Sequence, residues 1–219
     1  MAWSDVRTQI QLLADDATFE SGGNLYSYLL GWANNVQLEV ANEVDIYDHL
    51  RTVEGDLTTD NHAWYLPPDY LKTSLRFSNV RVADNNIEII GFEKLNLLDP
   101  DHSDISTNTQ PDYVSIEGGV LYVYPKWAGT IVLENYIRKP TDMVADTDLI
   151  DLPETGISED LIVTGVLGRY CFPHLNEREM AKDFYNKKDR SGRFFELLAQ
   201  YETRLHGQHI TWTNRGRFF

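Results

Sequence analysis

The stretch YVSIEGGVLYVYP, from Tyr113 to Pro125, decides the fold of the middle of this chain. Two runs of alternating residues flank Gly118-Gly119, and a two-glycine connection is typical of a tight hairpin because both of its residues must accept positive φ. The alternation sends Leu121 and Val123 to one face of the second strand and the tyrosines next to them to the other face. We therefore predict an antiparallel hairpin with one aliphatic face and one aromatic face.

Strand patterns extend on both sides of this hairpin, from about Tyr65 to Lys139. Asp84-Asn85-Asn86 is a predicted turn, because these residue types tolerate left-handed dihedral angles. A second turn at Ala128-Gly129 leads into the strand pattern TIVLENYI, whereas the polar segment Asp99–Pro111 has the composition of a loop. The middle region is thus predicted to be a small antiparallel meander of about three to five strands.

Helical periodicity governs the region before the strands, from about Trp3 to His49. Its apolar residues recur at steps of three or four, which places them on one helix face: Leu25, Leu29, Trp32, Val36 and Val40. A shorter helix is predicted from Asp5 to Leu13, and Gly22-Gly23-Asn24 marks the turn between the two helices.

A helix that is apolar over most of its circumference is predicted from Ser158 to about Phe172. Ser158 is a suitable N-cap residue, and Pro173 would stop the helix. Because a helix that is apolar on all sides must be covered by other elements, this helix is predicted to be central and buried.

A second C-terminal helix is predicted to run to about Leu205. Asn176 and Glu179 have the spacing of a capping box at its start, and Gly192 would kink it within the polar run NKKDRSGR. The final residues, HITWTNRGRFF, follow no helical or strand period and are predicted to be a tail.

The charge of the chain is strongly negative and unevenly distributed. The chain has 219 residues, of which 42% are hydrophobic, so it can bury a full core and is not of the disordered class. Its formal net charge of −15 argues against attraction to nucleic acid or anionic membrane through its overall field. Residues 1–160 contribute −19 and residues 161–219 contribute +4. These sections either neutralise each other within one chain or are complementary between copies, which would generate a ring.

The single cysteine, Cys171, excludes an internal disulfide and a multi-cysteine zinc site, and its apolar neighbours indicate a small core residue. No stretch of about 18 consecutive apolar residues is present, and the N-terminus lacks the basic-then-apolar order of a signal peptide. We therefore expect a soluble protein that is made without export and assembled in a reducing cytosol.

Motifs that would indicate an enzyme are absent from the sequence, which has no phosphate-binding glycine loop, no GxSxG elbow and no HExxH helix. One acidic loop contains three aspartates that could supply oxygen ligands to a calcium ion, Asp99, Asp101 and Asp104, with His102 among them. That loop lacks the Gly and Glu that an EF-hand needs at its sixth and twelfth positions. His206 and His209 could pair on a metal ion but have no third ligand nearby. We predict no catalytic residue, no metal site and no cofactor.

Four aromatic residues of the strand region form a predicted contact face: Tyr122, Tyr124, Trp127 and Tyr136. Such a face packs on helices or on a neighbouring subunit, or it stacks on sugars. Stacking on nucleic acid is disfavoured, because aromatic platforms for nucleic acid are normally combined with a basic groove.

Several short motifs follow one another along the chain: Trp32-Ala33-Asn34, YLPPDYL (Tyr65 to Leu71), the hairpin YVSIEGGVLYVYP, NYIRKP (Asn135 to Pro140) and DLPE (Asp151 to Glu154). In their order and spacing they resemble the tailed-phage adaptor proteins, also called head-to-tail connector or head-completion proteins. The resemblance extends from about Asn24 to Leu205.

This resemblance implies an α+β fold that is mainly a helical bundle, with an inserted small antiparallel β-domain and an extended C-terminal arm. Residues 1–60 and 150–206 would form the helical adaptor core, residues 61–149 the β-rich insertion and residues 207–219 the arm.

The resemblance also implies a virion structural protein that is not an enzyme. Such adaptors form a ring of about twelve copies beneath the portal protein at the capsid vertex, after assembly in the host cytoplasm. The ring extends the DNA channel, through which genomic DNA passes without specific binding, and it provides the platform for the tail or nozzle protein; no membrane is involved. The arm is expected to bind the portal through Ile210, Trp212, Arg215, Arg217, Phe218 and Phe219.

Two other functions remain open on the sequence alone. One is a tail-associated accessory protein that binds carbohydrate or a receptor through the aromatic face. The other is an enzyme with an acidic site in the loop around Asp99.

Overall fold

A computed structural model gives the fold and describes residues 2–21, 23–58, 63–74, 77–100 and 110–215, with the side chains of the last helix described as far as Leu205. The chain divides into two compact units. The helical unit comprises Met1–Ile46 and Pro140–Phe219, and the sheet unit comprises Tyr47–Lys139.

The helices, in chain order, are α1 (Trp3–Ala14), α2 (Leu29–Glu43), α3 (Phe92–Leu98), α4 (Ser158–Val166), α5 (Phe172–His174), α6 (Arg178–Phe184) and α7 (Arg193–Arg215). The helix α3 belongs to the sheet unit and the others to the helical unit. A π-helical turn, Leu167–Cys171, joins α4 to α5. Single 3₁₀ turns lie at Ala17–Phe19, Tyr26–Tyr28 and Tyr47–His49.

The core of the helical unit is built around α4, as the sequence predicts. Every residue from Leu161 to Leu167 is buried, so this helix is covered on all sides. Three residues of the predicted apolar face of α2 are fully buried, which confirms that part of the face: Leu29, Val36 and Val40. Gly165 lies where α4 meets α2 and α7, because a Cβ atom there would stand 2.6 Å from Val36 Cγ1 and 3.0 Å from the Phe194 ring.

The boundaries of α4 and α5 differ from the expectation. Ser158 begins α4, but the N-cap position belongs to Ile157, and the Ser158 hydroxyl bonds to the backbone of the preceding turn instead. Pro173 lies inside α5, and the helix ends one residue later at His174.

The predicted long helix after Pro173 is two helices, α6 and α7, and the predicted capping box is wrong. Asn176 has a φ of 62°, and α6 has Glu177 at its N-cap with no side-chain capping hydrogen bond. Residues 185–192 separate the helices, and Gly192, with a φ of 94°, redirects the chain rather than kinking one continuous helix. The helix α7 continues to Arg215, so residues 207–215 are helical where an extended arm was expected.

The strands, in chain order, are β1 (Leu50–Leu57), β2 (Ala63–Tyr65), β3 (Tyr70–Thr73), β4 (Asn79–Val82), β5 (Asn85–Ile89), β6 (Tyr113–Glu117), β7 (Val120–Tyr124) and β8 (Gly129–Arg138). Their order in the sheet is β1-β8-β4-β5-β6-β7-β2, and β3 also pairs with β8. The sheet is therefore substantial, and the expectation of a mainly helical protein with a small inserted meander is wrong.

One pair of neighbouring strands is parallel, whereas a fully antiparallel meander was expected. In the pairing of β5 with β6, Glu88 lies opposite Tyr113 and Ile89 opposite Val114. Parallel neighbours need a crossover connection, and the chain between these strands contains α3, a helix that the sequence patterns did not predict.

The predicted hairpin around Gly118-Gly119 is confirmed. Strands β6 and β7 pair antiparallel, and the two glycines have φ values of 57° and 79°, as a primed turn requires. Leu121 and Val123 are buried, and the tyrosines beside them are half-buried on the opposite face. The turn between β4 and β5 lies at Ala83-Asp84 rather than at residues 84–86, with Ala83 at a φ of 51°.

The sheet unit has its own apolar core, drawn from nearly every strand. Its members are Leu57, Leu66, Val80, Val82, Ile87, Val114, Leu121, Val123, Trp127, Ile131, Leu133 and Tyr136.

Candidate functional site

Among the described residues, no group of three or more His, Cys, Asp and Glu side chains is placed to share a metal ion. Asp99 is buried, whereas Asp101 and Asp104, and His102 between them, lie outside the described residues. Within the described part of the chain, none of the helices has the length and apolar character needed to cross a membrane.

The thiol of Cys171 is fully buried in the π-helical turn after α4. Burial raises the pKa of this thiol to about 12, so the reactive thiolate is scarce at neutral and mildly alkaline pH. The side chain is therefore a small core residue, as the sequence predicts.

This environment predicts that Cys171 resists alkylation in the folded protein. At pH 8 we expect iodoacetamide to label the native chain at least roughly 100-fold more slowly than the chain in urea, because the thiol is both protonated and inaccessible. Mass spectrometry at timed intervals measures both rates. Equal rates in the two states would contradict the buried position.

The four aromatic residues of the predicted contact face do not share one surface. Trp127 and Tyr136 are buried in the core of the sheet unit, with 8% and 4% of their surfaces exposed. Tyr122 lies on the opposite face of the sheet, where its ring packs against Phe92 of α3 at a centroid distance of 4.8 Å. Tyr124 is half-buried, and its ring stacks on a neighbouring tyrosine of β6.

The hydroxyl of Tyr136 is held inside the sheet unit by a hydrogen bond to the Asp69 carboxylate, at 3.1 Å. Burial, together with the neighbouring carboxylate, raises the pKa of Tyr136 to about 12. This tyrosine thus acts as a packing residue with a satisfied polar end, and two of the four aromatic rings are not available for stacking on a ligand.

The residues proposed for the C-terminal arm fall at the edge of the described chain. The last turns of α7, whose side chains are not described, contain Ile210, Trp212 and Arg215. The side chains of His206 and His209 are likewise not described. Arg217, Phe218 and Phe219 lie outside the described residues.

The motif Trp32-Ala33-Asn34 anchors a loop of the helical unit to α2. The Asn34 side chain donates a hydrogen bond to the Met143 carbonyl (2.9 Å) and accepts one from the Met143 N–H (3.0 Å). One turn later, Gln37 donates to the Thr141 carbonyl (3.0 Å) and accepts from the N–H of Asp151, the first residue of the DLPE motif (3.2 Å). These bonds fasten residues 141–151 to the helix.

Trp32 is also the centre of an aromatic stack that the sequence patterns did not reveal. Its ring lies parallel to Tyr170 at 5.1 Å and close to parallel to His174 at 5.2 Å, and Tyr28 stacks on it at 6.1 Å. The stack joins α2 to the π-helical turn and to α5. Tyr28 is more than half exposed, so the stack reaches the protein surface.

A buried carboxylate lies two turns further along α2, at Glu39, which is 9% exposed. One of its oxygens accepts a hydrogen bond from Arg169, and the other accepts one from the Tyr185 hydroxyl. Lys187 stands 3.8 Å from the carboxylate. Burial, and next the Glu39 contact, raises the pKa of Tyr185 well above its usual range. We call these four residues the Glu39 cluster.

Part of the positive charge of residues 161–219 is paired with carboxylates of α2, in the Glu39 cluster and beside it. Arg169 and Lys187 pair with Glu39, and Arg190 pairs with Glu43 at 2.9 Å. All five residues belong to one helical unit, so two carboxylates of the same chain neutralise part of the charge of these three cations. A π-helical turn inserts one extra residue, and here that turn carries both Arg169 and Tyr170 to the surface of α2.

Several large apolar side chains of the helical unit are more than half exposed: Leu12, Leu13, Tyr28, Val144 and Leu149. Single exposed apolar side chains are common on protein surfaces, so their exposure does not by itself mark an interface.

Comparison with known proteins gives one family. The family model described as SU10 adaptor protein matches residues 1–214. No curated protein matches the chain.

Proposed function

Because the chain belongs to the SU10 adaptor protein family, we propose that it joins the head of a phage to the tail as one subunit of a ring. Membership in the family makes the chain a structural adaptor protein of a phage virion that interacts with other head or tail proteins, and it implies a role other than catalysis. The match over residues 1–214 is the observation that carries the proposal.

The proposed ring contains about twelve copies and lies at the capsid vertex, between the portal protein and the tail or nozzle protein. The absence of a metal-binding cluster from the described residues is compatible with this role and does not carry it.

In this proposal the negative charge of the chain keeps DNA mobile in the channel. Twelve copies with a net charge of −15 would carry roughly 180 negative charges around the passing DNA, and like charges repel. A ring structure with a channel lined mainly by Lys and Arg would contradict this part of the proposal.

Assembly on the portal is the direct test. The purified chain is mixed with the portal protein of the same phage, and the mass of the complex is measured by native mass spectrometry. We expect one ring of about twelve copies per portal. A portal that binds no copy at micromolar concentrations would overturn the head-to-tail assignment, whereas a monomer in the absence of portal would not.

The C-terminal end of the chain is the proposed portal-binding element, with Ile210, Trp212, Arg215, Arg217, Phe218 and Phe219 as its contact residues. Aromatic side chains and arginine are the residue types that most often dominate binding energy at interfaces. The helix α7 continues to Arg215, so this element reaches the portal at least in part as a helix.

Deleting residues 211–219 is therefore expected to weaken binding to the portal by roughly 100-fold, because three aromatic anchors are lost together. Surface plasmon resonance on immobilised portal measures the change. The matched control alters non-aromatic residues of the same segment (Thr211→Ala, Thr213→Ala and Asn214→Ala) and should bind within about threefold of the unmodified chain. Unchanged affinity after the deletion would refute the assignment of the arm while leaving the ring proposal intact.

A further inference from the structure

The backbone of α7 continues well beyond the last of its described side chains. Buried side chains recur along the first half of this helix: Phe194, Leu197, Leu198, Tyr201 and Leu205. After Leu205 the helix continues to Arg215, which adds about 15 Å at the usual rise per residue. Because this part of α7 begins the proposed portal-binding element, the direction in which the helix leaves Leu205 decides where that element is presented.

A turn of the helical unit, formed by residues 153–157, lies against α7 just before this point. The Arg204 guanidinium donates a hydrogen bond to the Thr155 carbonyl at 3.0 Å. Three residues earlier, the Tyr201 hydroxyl donates to the Pro153 carbonyl at 3.4 Å. Thr155 is buried, so its carbonyl oxygen needs a donor from the protein. The turn and α7 are therefore joined by complementary groups at the end of the described packing.

The turn is fixed by the elements on both sides of it. The hydroxyl of Ser158, the first residue of α4, donates to the Pro153 carbonyl (2.8 Å) and accepts from the Thr155 N–H (3.0 Å). On the other side, the Asp151 N–H donates to Gln37 of α2 (3.2 Å). Since α4 is buried on all sides, the turn is tied to the core of the helical unit and forms a fixed support for α7.

Arg204 is the last polar residue of α7 for which the described part of the chain gives a hydrogen bond. Its guanidinium lies directly on the turn, because a Cβ atom at Gly156 would stand 3.5 Å from Arg204 Nη1. A guanidinium donates in a fixed planar arrangement, so its bond restrains direction as well as distance. A tilt of about 10° at Arg204 would move the helix axis at Arg215 by about 3 Å.

We propose that Arg204 is a positioning residue, whose bond to the turn sets the direction in which α7 leaves the helical unit. The portal-binding element is thereby held in the direction that binding requires. This inference rests on the proposed function of that element, and Arg204 itself need not touch the portal. A binding element that is held in place before contact loses less freedom on binding, so a loosened direction lowers affinity although every contact residue is present.

Electron paramagnetic resonance measures the direction of α7 in the full chain without the portal. Spin labels are attached through Lys182→Cys on α6 and Gln208→Cys on α7, and the buried Cys171 stays unlabelled. In this labelled chain we expect one narrow distribution of distances between the labels. Arg204→Met keeps an apolar stem but cannot donate, and it should broaden the distribution at least about twofold.

Arg193→Met is the matched control for Arg204→Met. Arg193 lies in the first turn of the same helix, is 53% exposed and pairs with Glu196 of that helix at 3.6 Å. This substitution should leave the distance distribution unchanged, because an exposed pair within one helix does not fix the helix to another element. Arg204 is also exposed, so neither substitution opens the core.

The affinity of the same variants for immobilised portal is measured by surface plasmon resonance. Arg204→Met is expected to weaken binding about five- to tenfold, and Arg193→Met by less than about twofold. In the chain that lacks residues 211–219, Arg204→Met should change affinity by less than about twofold, because the element that Arg204 positions is gone. A positioning role predicts this loss of effect, whereas a general loss of stability does not.

Equal distance distributions with and without Arg204→Met would overturn the proposal, as would equal effects of the two arginine variants. A weakening of portal binding that persists in the chain without residues 211–219 would overturn it as well. A portal that fails to bind the unmodified chain would instead overturn the proposed function. The distance measurement needs no portal, so it would still decide whether Arg204 sets the direction of α7.

Discussion

Gly165→Val is expected to destabilise the helical unit by about 3 kcal/mol, because there is no space for a side chain where α4 meets its neighbours. A Cβ atom at Gly165 would stand 2.6 Å from Val36 Cγ1 and 3.0 Å from the Phe194 ring, and valine adds two further methyl groups. Val36 and Phe194 are themselves fully buried, so neither can move aside without displacing other core side chains. Urea unfolding followed by circular dichroism, with hydrogen exchange of the α4 amides, measures the loss.

The matched control is Gly31→Val. Gly31 also lies inside a helix, α2, but nothing stands within 4 Å of a Cβ atom placed there. Valine has a somewhat higher intrinsic helix propensity than glycine, so this variant should be unchanged or more stable by up to about 0.5 kcal/mol. Similar losses of stability in the two variants would show that the helical backbone, and not the contact of α4 with α2 and α7, sets the requirement for glycine.

Glu39→Ala is expected to cost the helical unit about 2–3 kcal/mol, because it removes the common acceptor of the Glu39 cluster. Arg169 and Tyr185 both donate to this carboxylate, and Lys187 lies beside it. Removing one partner of a buried ion pair typically costs about 3–5 kcal/mol, and the expected loss is smaller here because about a third of the Arg169 side chain reaches solvent. The variant should also loosen the segment between α6 and α7, which hydrogen exchange of Tyr185 and its neighbours would detect.

Glu43→Ala serves as the control for Glu39→Ala. Glu43 lies one turn further along α2 and pairs with Arg190, but 62% of the Arg190 side chain is exposed. Exposed ion pairs contribute at most about 1 kcal/mol, so this variant should lose little stability. If the two substitutions had equal effects, the Glu39 cluster would be an ordinary surface ion pair rather than a buried anchor for the segment before α7.

Local features of the fold were predictable because they depend on neighbouring residues. Gly118-Gly119 predicted the hairpin and the apolar circumference predicted the buried α4, since turn geometry and periodicity are properties of consecutive residues. The capping box at Asn176 failed because Asn176 has a left-handed backbone just after the end of α5, where its N–H and that of Glu177 bond back to the Pro173 and Phe172 carbonyls. The interruption between α6 and α7 was visible as the polar run around Gly192, but the sequence did not distinguish a kink from a break.

Side-chain partners far apart in the chain were not predictable. Glu39 meets Arg169 and Tyr185 across more than a hundred residues, and no spacing rule connects them. Trp127 and Tyr136 are of residue types that are typical of a contact face, but the topology of the sheet places both of them in its core. The Asn34 side chain was visible as part of a motif, whereas its role as an anchor for Met143 emerges only from the tertiary structure.

By itself the sequence determined the class of the protein, an acidic α+β chain without enzymatic motifs. The order of its short motifs resembles that of the phage adaptors, and the family match agrees with this resemblance. The tertiary structure alone decided the size of the sheet, its strand order and the parallel pairing of β5 with β6. The physical reason is the range of the interactions. Periodicity and turn chemistry act over a few residues and are written in the local sequence, whereas strand order and buried pairs depend on which distant segments the whole chain brings together.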